Sequence, residues 1–237
     1  NWNTNHLVMK KLLVFSLLMW ITLSAFSQCN TFFPLREGVK YQYDLHDKKD
    51  KVTMRINQWL RNVSGSGSTM KATMVQETID AKKDKPLASS ETEWTCEDGT
   101  LHFAVNNIGM DGGASMASGV TVELSGDQMD IPSDMQVGQT LKDLTYQIKM
   151  GMSGMTIMNR SFTVTDRKVE AEEAVTTPAG TFNCYKVSFT TTSQGGIGAG
   201  TFKSIVWYSK DTGMVKTETY SEKGVLQSKQ VLSKIEK

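Results

Sequence analysis

Methionine is the residue whose number and spacing come closest to a chemical site in this chain. There are 14 methionines, and four of them crowd one strand-like segment: Met150, Met152, Met155 and Met158. Because thioethers are soft ligands, such a cluster is one way to bind Cu(I). In a regular strand Met155 would point away from the other three, so a four-methionine cage would need a bulge at Gly151 or Gly154. The interpretation we favour is an apolar face, either core or cavity lining, formed by Tyr146, Ile148, Met150, Met152 and Met158.

Motifs for catalysis or metal binding are not found in the sequence after residue 28. The histidines there are His46 and His102, and both are expected to be solvated. No His-x-x-x-His, Gly-x-Ser-x-Gly or Cys-x-x-Cys spacing occurs, and a catalytic pair cannot be assigned among the many carboxylates. We therefore predict a protein without enzymatic activity, bound metal or cofactor.

The segment 9–27 has the features of a secretory signal peptide. Two lysines precede an uncharged apolar run, and small residues at the −3 and −1 positions predict cleavage before Gln28. We interpret residues 1–8 as upstream translation and residues 28–237 as a single β domain. The expected location is the periplasm or outer surface of a Gram-negative bacterium.

Because Cys29 follows the predicted cleavage site, a lipoprotein acylated at this residue is an alternative. It is less favoured, because bulky Phe26 and long Gln28 fit a lipobox poorly. In an oxidising compartment Cys29, Cys96 and Cys184 could instead form a bridge. Three single bridges are open to them, each leaving one free thiol, and the sequence does not decide the pairing.

Alternating apolar and polar residues predict strands through nearly all of the chain after the signal. The clearest runs are 52–56, 101–105, 120–124, 144–150 and 185–189, separated by glycine-containing turns. This pattern predicts an all-β fold, an antiparallel meander forming a strongly curved sheet or a partly open β-barrel. Missing aromatic girdles and a charged C-terminal end argue against an integral membrane protein. The net charge of +1 gives no field that would attract nucleic acid.

Three stretches resemble a known family: 33–41, 177–187 and 207–216. Their order and residues are similar to the TapB-like exported proteins of Bacteroides-type bacteria, relatives of the YmcC-like half-barrels. The resemblance implies an all-β, partly open barrel and no established activity. Asp211-Thr212 departs from the usual Gly-Val, and residues 109–119 are richer in glycine than the family pattern. We expect the following motif residues to be structural: Pro178, Gly180, Phe182, Trp207 and Gly213.

The functional hypothesis is an exported, non-catalytic envelope protein that binds an apolar or amphiphilic small molecule or lipid in an open β-barrel. It depends on the methionine-rich face, on the glycine-rich stretch 109–119 as a border of the opening, and on fold-level analogy to half-barrel carriers. The alternatives are a packed structural or interaction module of the envelope, and a methionine-based copper-binding protein. The oligomeric state is left open.

Overall fold

The computed structural model describes residues 29–104, 120–195 and 199–237, and thirteen strands run through them. The first seven are β1 (Lys40–Asp47), β2 (Val52–Ser66), β3 (Thr69–Asp80), β4 (Lys85–Glu97), β5 (Thr100–Phe103), β6 (Val120–Gly126) and β7 (Met129–Pro132). The others are β8 (Leu144–Met152), β9 (Met155–Thr177), β10 (Gly180–Gln194), β11 (Gly200–Ser209), β12 (Gly213–Ser221) and β13 (Leu226–Glu236). In these described ranges no helix is long and apolar enough to cross a membrane.

The strands form one antiparallel sheet in the order β6-β8-β9-β10-β11-β12-β13-β1-β2-β3-β4-β5-β7. Most neighbours in the sheet are also neighbours in the chain, which is the arrangement of a meander. The sheet is not closed, and β6 and β7 are its two edges. The predicted fold class, an all-β antiparallel meander forming a curved sheet or partly open barrel, is confirmed.

Turn residues with positive φ end the hairpins where the sequence predicts them. Asp98 and Gly99, between β4 and β5, have φ values of 46° and 82°, which is the pair of left-handed residues that a tight hairpin requires. Between β9 and β10 the loop is only Pro178-Ala179, and the Ala179 amide donates a hydrogen bond to Thr177 Oγ1 at 3.2 Å. Gly180 follows at a φ of 140°.

The main core lies on one face of the sheet, which we call the inner face. In β8, Leu144, Tyr146 and Ile148 are buried, whereas the residues between them are exposed. Cross-strand partners share a face of a sheet, so the same face continues through the pair Val187–Val206. Core side chains on it include Leu60, Met74, Trp94, Leu101, Ile131, Tyr146, Ile148, Val164, Val187, Phe189, Val206 and Tyr208.

A smaller apolar cluster covers part of the opposite, outer face. Phe182 packs there against buried Cys184, Trp207 and Val215. The Trp207 indole donates a hydrogen bond to Glu173 Oε1 at 2.6 Å. The motif residues Phe182 of β10 and Trp207 of β11 therefore belong to one apolar cluster that spans these two paired strands.

Residues 29–36, which we call the strap, pass across the inner face. Cys29 is bonded to Cys96 of β4 by a disulfide. Asn30 is 1% exposed, and its amide nitrogen donates hydrogen bonds to the carbonyl oxygens of Gly99 at 3.0 Å and Ile131 at 2.8 Å. Its Oδ1 accepts from the backbone amides of residues 32 and 33, both at 3.0 Å. The buried side chain is therefore fully paired, as buried amides must be.

Aromatic contacts join the strap to the other half of the sheet. Phe33 lies edge-on to Trp94 of β4 and Tyr208 of β11, with ring centroids 5.3 Å and 5.9 Å away. Phe32, fully buried, packs edge-on against Tyr185 of β10 at 5.4 Å. Five strands separate β4 from β11 in the sheet order. The strap thus connects two parts of the sheet that share no direct hydrogen bonds.

Arg167 of β9 makes a second connection across the opening. Its side chain is 2% exposed. One guanidinium nitrogen donates to the Lys142 carbonyl oxygen at 2.6 Å, and the other donates to the carbonyl oxygen of Asp130, on edge strand β7, at 2.8 Å. Burial lowers the pKa of Arg167 from its ordinary value. A buried cation is tolerated only when its donors are satisfied, so these two carbonyls fix the distance between β9 and β7.

The strap should make Gly213 much less tolerant of substitution than Gly224. Both glycines have positive φ, 86° and 77°, but a Cβ at Gly213 would lie 2.6 Å from Phe33 Cε1, whereas nothing lies within 4 Å at Gly224. We expect Gly224→Ala to cost about 1–2 kcal/mol through its backbone alone, and Gly213→Ala about 1–3 kcal/mol more through overpacking. Urea unfolding measures both. Adding Phe33→Leu should remove most of the extra cost, and equal losses at the two glycines would contradict the packing of Phe33 on Gly213.

Candidate functional site

The crowded methionines lie on a hairpin, which corrects the prediction of one strand-like segment. β8 ends at Met152 and β9 begins at Met155, with Ser153 and Gly154 in the turn at φ values of 52° and 80°. Across this two-residue turn the partners have odd spacing, so Met155 shares a face with Met152, which corrects the expectation that it points away from the other methionines. Met152 is instead paired with Met155, and Met150 with Met158.

The pair Met150–Met158 belongs to the inner face. Both side chains are partly buried and pack against the main core. Tyr146 and Ile148, at 7% and 3% exposure, continue the same face along β8. The Tyr146 ring stacks on Phe162 of β9 at 4.9 Å. We call these five residues the methionine face: Tyr146, Ile148, Met150, Met158 and Phe162.

Met152 lies at the exposed end of the hairpin, next to the methionine face. The register shift in this hairpin skips Ile157 of β9, so β8 keeps its alternation through Met152. The side chain of Met152 is 43% exposed and that of Met155 is 68% exposed. Of the five predicted lining residues, four therefore lie together on the inner face, and Met152 lies at the exposed tip.

The inner face becomes polar toward the middle strands. Gln58 of β2 and Gln76 of β3 are cross-strand partners, and the Gln58 amide nitrogen donates to Gln76 Oε1 at 2.7 Å. Thr217 of β12 and Gln230 of β13 form a similar pair. All four side chains are half-buried. In its middle strands the inner face thus carries uncharged amides and hydroxyls among apolar residues such as Leu45 and Met54. Beside Phe162 it also carries a cation, Arg160, the cross-strand partner of Ile148.

His46 and His102 each lie beside an aspartate, but only the partner of His46 is close to it in the sequence. His102 of β5 lies with Nδ1 2.8 Å from Asp130 Oδ1 on β7, and its side chain is 27% exposed. His46 lies 2.9 Å from Asp50, four residues along the chain. The pairing of His102 follows from the contact of β5 with β7, which no local pattern predicts. In the described part of the chain, no three His, Cys, Asp or Glu side chains converge as metal ligands.

The cysteine pairing that the sequence leaves open is Cys29 with Cys96, and Cys184 is a buried free thiol. Burial, together with the charge of Glu173, raises the pKa of the Cys184 thiol to about 11. A thiol with such a pKa is protonated at neutral pH and a weak nucleophile. Cys184 is therefore a packing residue of the outer cluster.

An open cleft of about 390 Å³ lies on the outer face, lined by Gly38, Val39, Lys40, Trp59, Glu236 and Lys237. Lys40 Nζ lies 5.0 Å from the centre of the Trp59 ring. The cleft is separated from the methionine face by the sheet. The glycine-rich stretch 109–119, predicted to border an opening, falls outside the described residues.

An open antiparallel sheet whose main core lies on its inner face defines a half-barrel, and comparisons with known proteins agree. The chain belongs to the DUF3108-like family, whose model matches residues 36–232. It is similar to a candidate exported protein with a YmcC-like fold from Bacteroides fragilis, at 26% identity and a TM-score of 0.75, covering 88% of this chain and 100% of that one. The resemblance drawn from the sequence motifs is confirmed.

A second solved structure, a candidate lipoprotein from Parabacteroides distasonis, shares the fold. Its TM-score is 0.71 at 20% identity, with 88% of this chain and 99% of that chain covered. At that identity the likeness concerns the fold alone. No match is found among the curated proteins.

Replacing methionines of the hairpin by leucine should leave the protein nearly unchanged. Met150→Leu conserves volume against the core and should cost less than about 1.5 kcal/mol, and Met152→Leu, at an exposed position, should cost almost nothing. Neither change should alter Cu(I) binding, because packing rather than coordination accounts for the Met150–Met158 pair. Titration of the reduced protein with Cu(I) against a competing chelator measures this. Tight one-to-one binding that is lost in Met150→Leu but retained in Met54→Leu would make the thioethers copper ligands.

Proposed function

We propose that this chain is an exported, non-catalytic protein of the cell envelope that binds an amphiphilic molecule on its inner face. The observation that supports the proposal is the division of that face between the apolar methionine face and polar side chains, which are Arg160 beside it and the amides and hydroxyls of the middle strands. An amphiphile has the same division between tail and headgroup. Within the described residues, no strand joins β6 to β7, the two edges of the open sheet.

The methionine face suits a flexible alkyl tail. Methionine has an unbranched, polarisable side chain that adapts to irregular apolar surfaces. Each buried CH₂ of a tail would contribute roughly 0.8 kcal/mol. Tyr146 and Phe162, stacked at 4.9 Å, add a flat aromatic surface beside Met150 and Met158.

Export is the second part of the proposal. The basic start, apolar run and cleavage pattern of residues 9–27 are those of a signal peptide. The Bacteroides relative is described as a candidate exported protein. The sulfur of Cys29, which a lipoprotein would acylate, is bonded to Cys96. One sulfur cannot be both a thioether anchor and half of a disulfide, so we favour an unlipidated periplasmic form.

A packed envelope module is the second candidate function. The observation that favours it is the strap, whose Phe32 and Phe33 already cover the inner face near Tyr185, Trp94 and Tyr208. If the rest of the face were covered in the same way, the protein would act through its outer surface. Ligand binding separates the two candidates.

We expect a lipid-like molecule to remain bound when the protein is purified without detergent, and native mass spectrometry should detect it. After its removal, Nile red should bind, because the dye fluoresces on apolar surfaces. Met150→Gln should weaken dye binding by about 5- to 30-fold, the factor that follows from losing roughly 1–2 kcal/mol of apolar contact. Lys149→Gln, on the exposed side of the same strand, is the control. A chain without co-purified lipid that also fails to bind Nile red would support the packed module.

The exported protein should begin at Gln28 and contain one disulfide. Its intact mass should be that of residues 28–237 less two hydrogen atoms. One thiol should react with alkylating reagent only after unfolding, because Cys184 is buried, and Cys184→Ala should remove that reaction while keeping the bridge. A diacylated N-terminal Cys29 would contradict both the cleavage site and the bridge.

A further inference from the structure

A cation lies among the side chains of the methionine face. Arg160 of β9 is the cross-strand partner of Ile148. Met158 and Phe162 lie two residues before and after it, and alternation along a strand places all three on the same side of β9. Arg160 is half-buried. Its guanidinium group therefore forms part of the surface on which the tail of an amphiphile would lie.

Two neighbouring side chains help to position the guanidinium group of Arg160. Its central carbon lies 5.5 Å from the centre of the Phe162 ring, an arrangement in which a cation and an aromatic ring attract each other. One guanidinium nitrogen donates to Oγ of Ser193 at 3.4 Å. Ser193 is 4% exposed and is the cross-strand partner of Phe162 on β10. Both contacts are with neutral groups, so they orient the positive charge without neutralising it.

Two carboxylates that share the inner face, Asp47 and Asp80, are held by the turns that follow β1 and β3. Asp47 Oδ1 accepts hydrogen bonds from the backbone amides of residues 49 and 51, at 2.8 Å and 3.0 Å. Asp80 Oδ1 accepts from the amides of residues 82 and 83, both at 2.9 Å. In the sheet order four strands lie between β9 and β1, and six between β9 and β3. The methionine face is thus the part of the inner face where Arg160 sets the charge.

A ligand that covers the methionine face must lie against this charge. The guanidinium group of an arginine stays protonated in proteins, and removing water from a charged group is costly unless an opposite charge accompanies it. An uncharged amphiphile would bear that cost, and a cationic one would add repulsion. A carboxylate or phosphate group would instead form charge-assisted hydrogen bonds with the guanidinium nitrogens, and both groups match its planar fork.

We infer that the amphiphile bound by this protein is anionic, and that its carboxylate or phosphate headgroup pairs with Arg160 while its alkyl tail lies on the apolar side chains around it. The inference rests on the proposed function, since it assigns the headgroup of the ligand proposed there. It distinguishes fatty acids and anionic phosphate lipids from neutral and cationic amphiphiles as the ligand class.

Three probes with tails of similar length test the headgroup: dodecanoate, dodecyl phosphate and dodecyltrimethylammonium. Each is titrated by calorimetry into the delipidated full chain at constant salt and below its micelle-forming concentration, at a pH where the carboxylate is ionised. Acetate serves as the tail-less comparison. We expect both anionic probes to bind at least about 10-fold more tightly than the cationic probe, the factor that one charge-assisted pair contributes. Tighter binding of dodecanoate than of dodecyl phosphate would identify fatty acids as the source of the anion, and the reverse order would identify phosphate lipids.

Variants of Arg160 then locate the headgroup. Arg160→Gln should weaken both anionic probes by about 10- to 100-fold and should strengthen dodecyltrimethylammonium, because the repulsion is removed. Arg160→Lys retains the charge and should retain the preference for anions. Lys203→Gln removes the same charge from an exposed position on the outer face of β11, beside Thr190, and is the matched control. A folding defect would weaken all three probes, so the opposite changes identify the loss of charge.

The remaining outcomes distinguish a wrong headgroup from a wrong function. Equal affinity for all three long-chain probes would overturn the anionic headgroup and leave the proposed function standing, as would an Arg160→Gln variant that binds them like Lys203→Gln. No binding of any long-chain probe would overturn the proposed function and this inference with it. Acetate binding as tightly as dodecanoate would show that no tail is recognised, which would also overturn both.

Discussion

The strap is the restraint on which the inner face depends. An open sheet has no strand-to-strand hydrogen bonds between its edges, so its curvature must be fixed by other contacts. The Cys29–Cys96 bond fixes one end of the strap covalently, Asn30 fixes it through buried hydrogen bonds, and Phe33 contacts both β4 and β11. Arg167 adds a separate connection, which joins β9 to β7. Together these contacts hold the two halves of the inner face at a set distance.

The register of β12 and β13 places their alternating charged and uncharged residues on two chemically different surfaces of the sheet. Along β12 and β13, charged residues point outward and uncharged polar residues point inward. A slip of one residue would bring Lys216 and Lys229 to the inner face and expose Thr217 and Gln230. Burying those charges would cost far more than burying hydroxyls and amides. The inner polar groups therefore also favour the observed register, even when water is their only partner.

The sequence predicts the features of this fold that depend on local spacing. Alternation of apolar and polar residues predicts the strands and the buried side of β8, and turn residues such as Asp98-Gly99 predict the hairpins. Contacts between distant segments are not predicted: the choice of Cys96 for Cys29, the pairing of His102 with Asp130, and the buried site of Arg167 each join residues that only the sheet order brings together. Met152 keeps the alternation of β8 but lies beside the Ser153–Gly154 turn, where its side chain is exposed. Alternation predicts the side of a strand on which a residue lies and not how deeply it is buried.

Long-range contacts at the edge strand β7 also protect the fold from pairing with strands of other chains. An exposed edge offers unpaired backbone groups to other chains. β7 has only four residues and ends at Pro132, which has no backbone amide proton to donate. The Asp130 carbonyl, which such an added strand could use, accepts a hydrogen bond from Arg167 at 2.8 Å. A guanidinium buried among carbonyls is thus a connection between β9 and β7 and a barrier to pairing at this edge. The sheet can therefore remain open at this edge without presenting the Asp130 carbonyl to another strand.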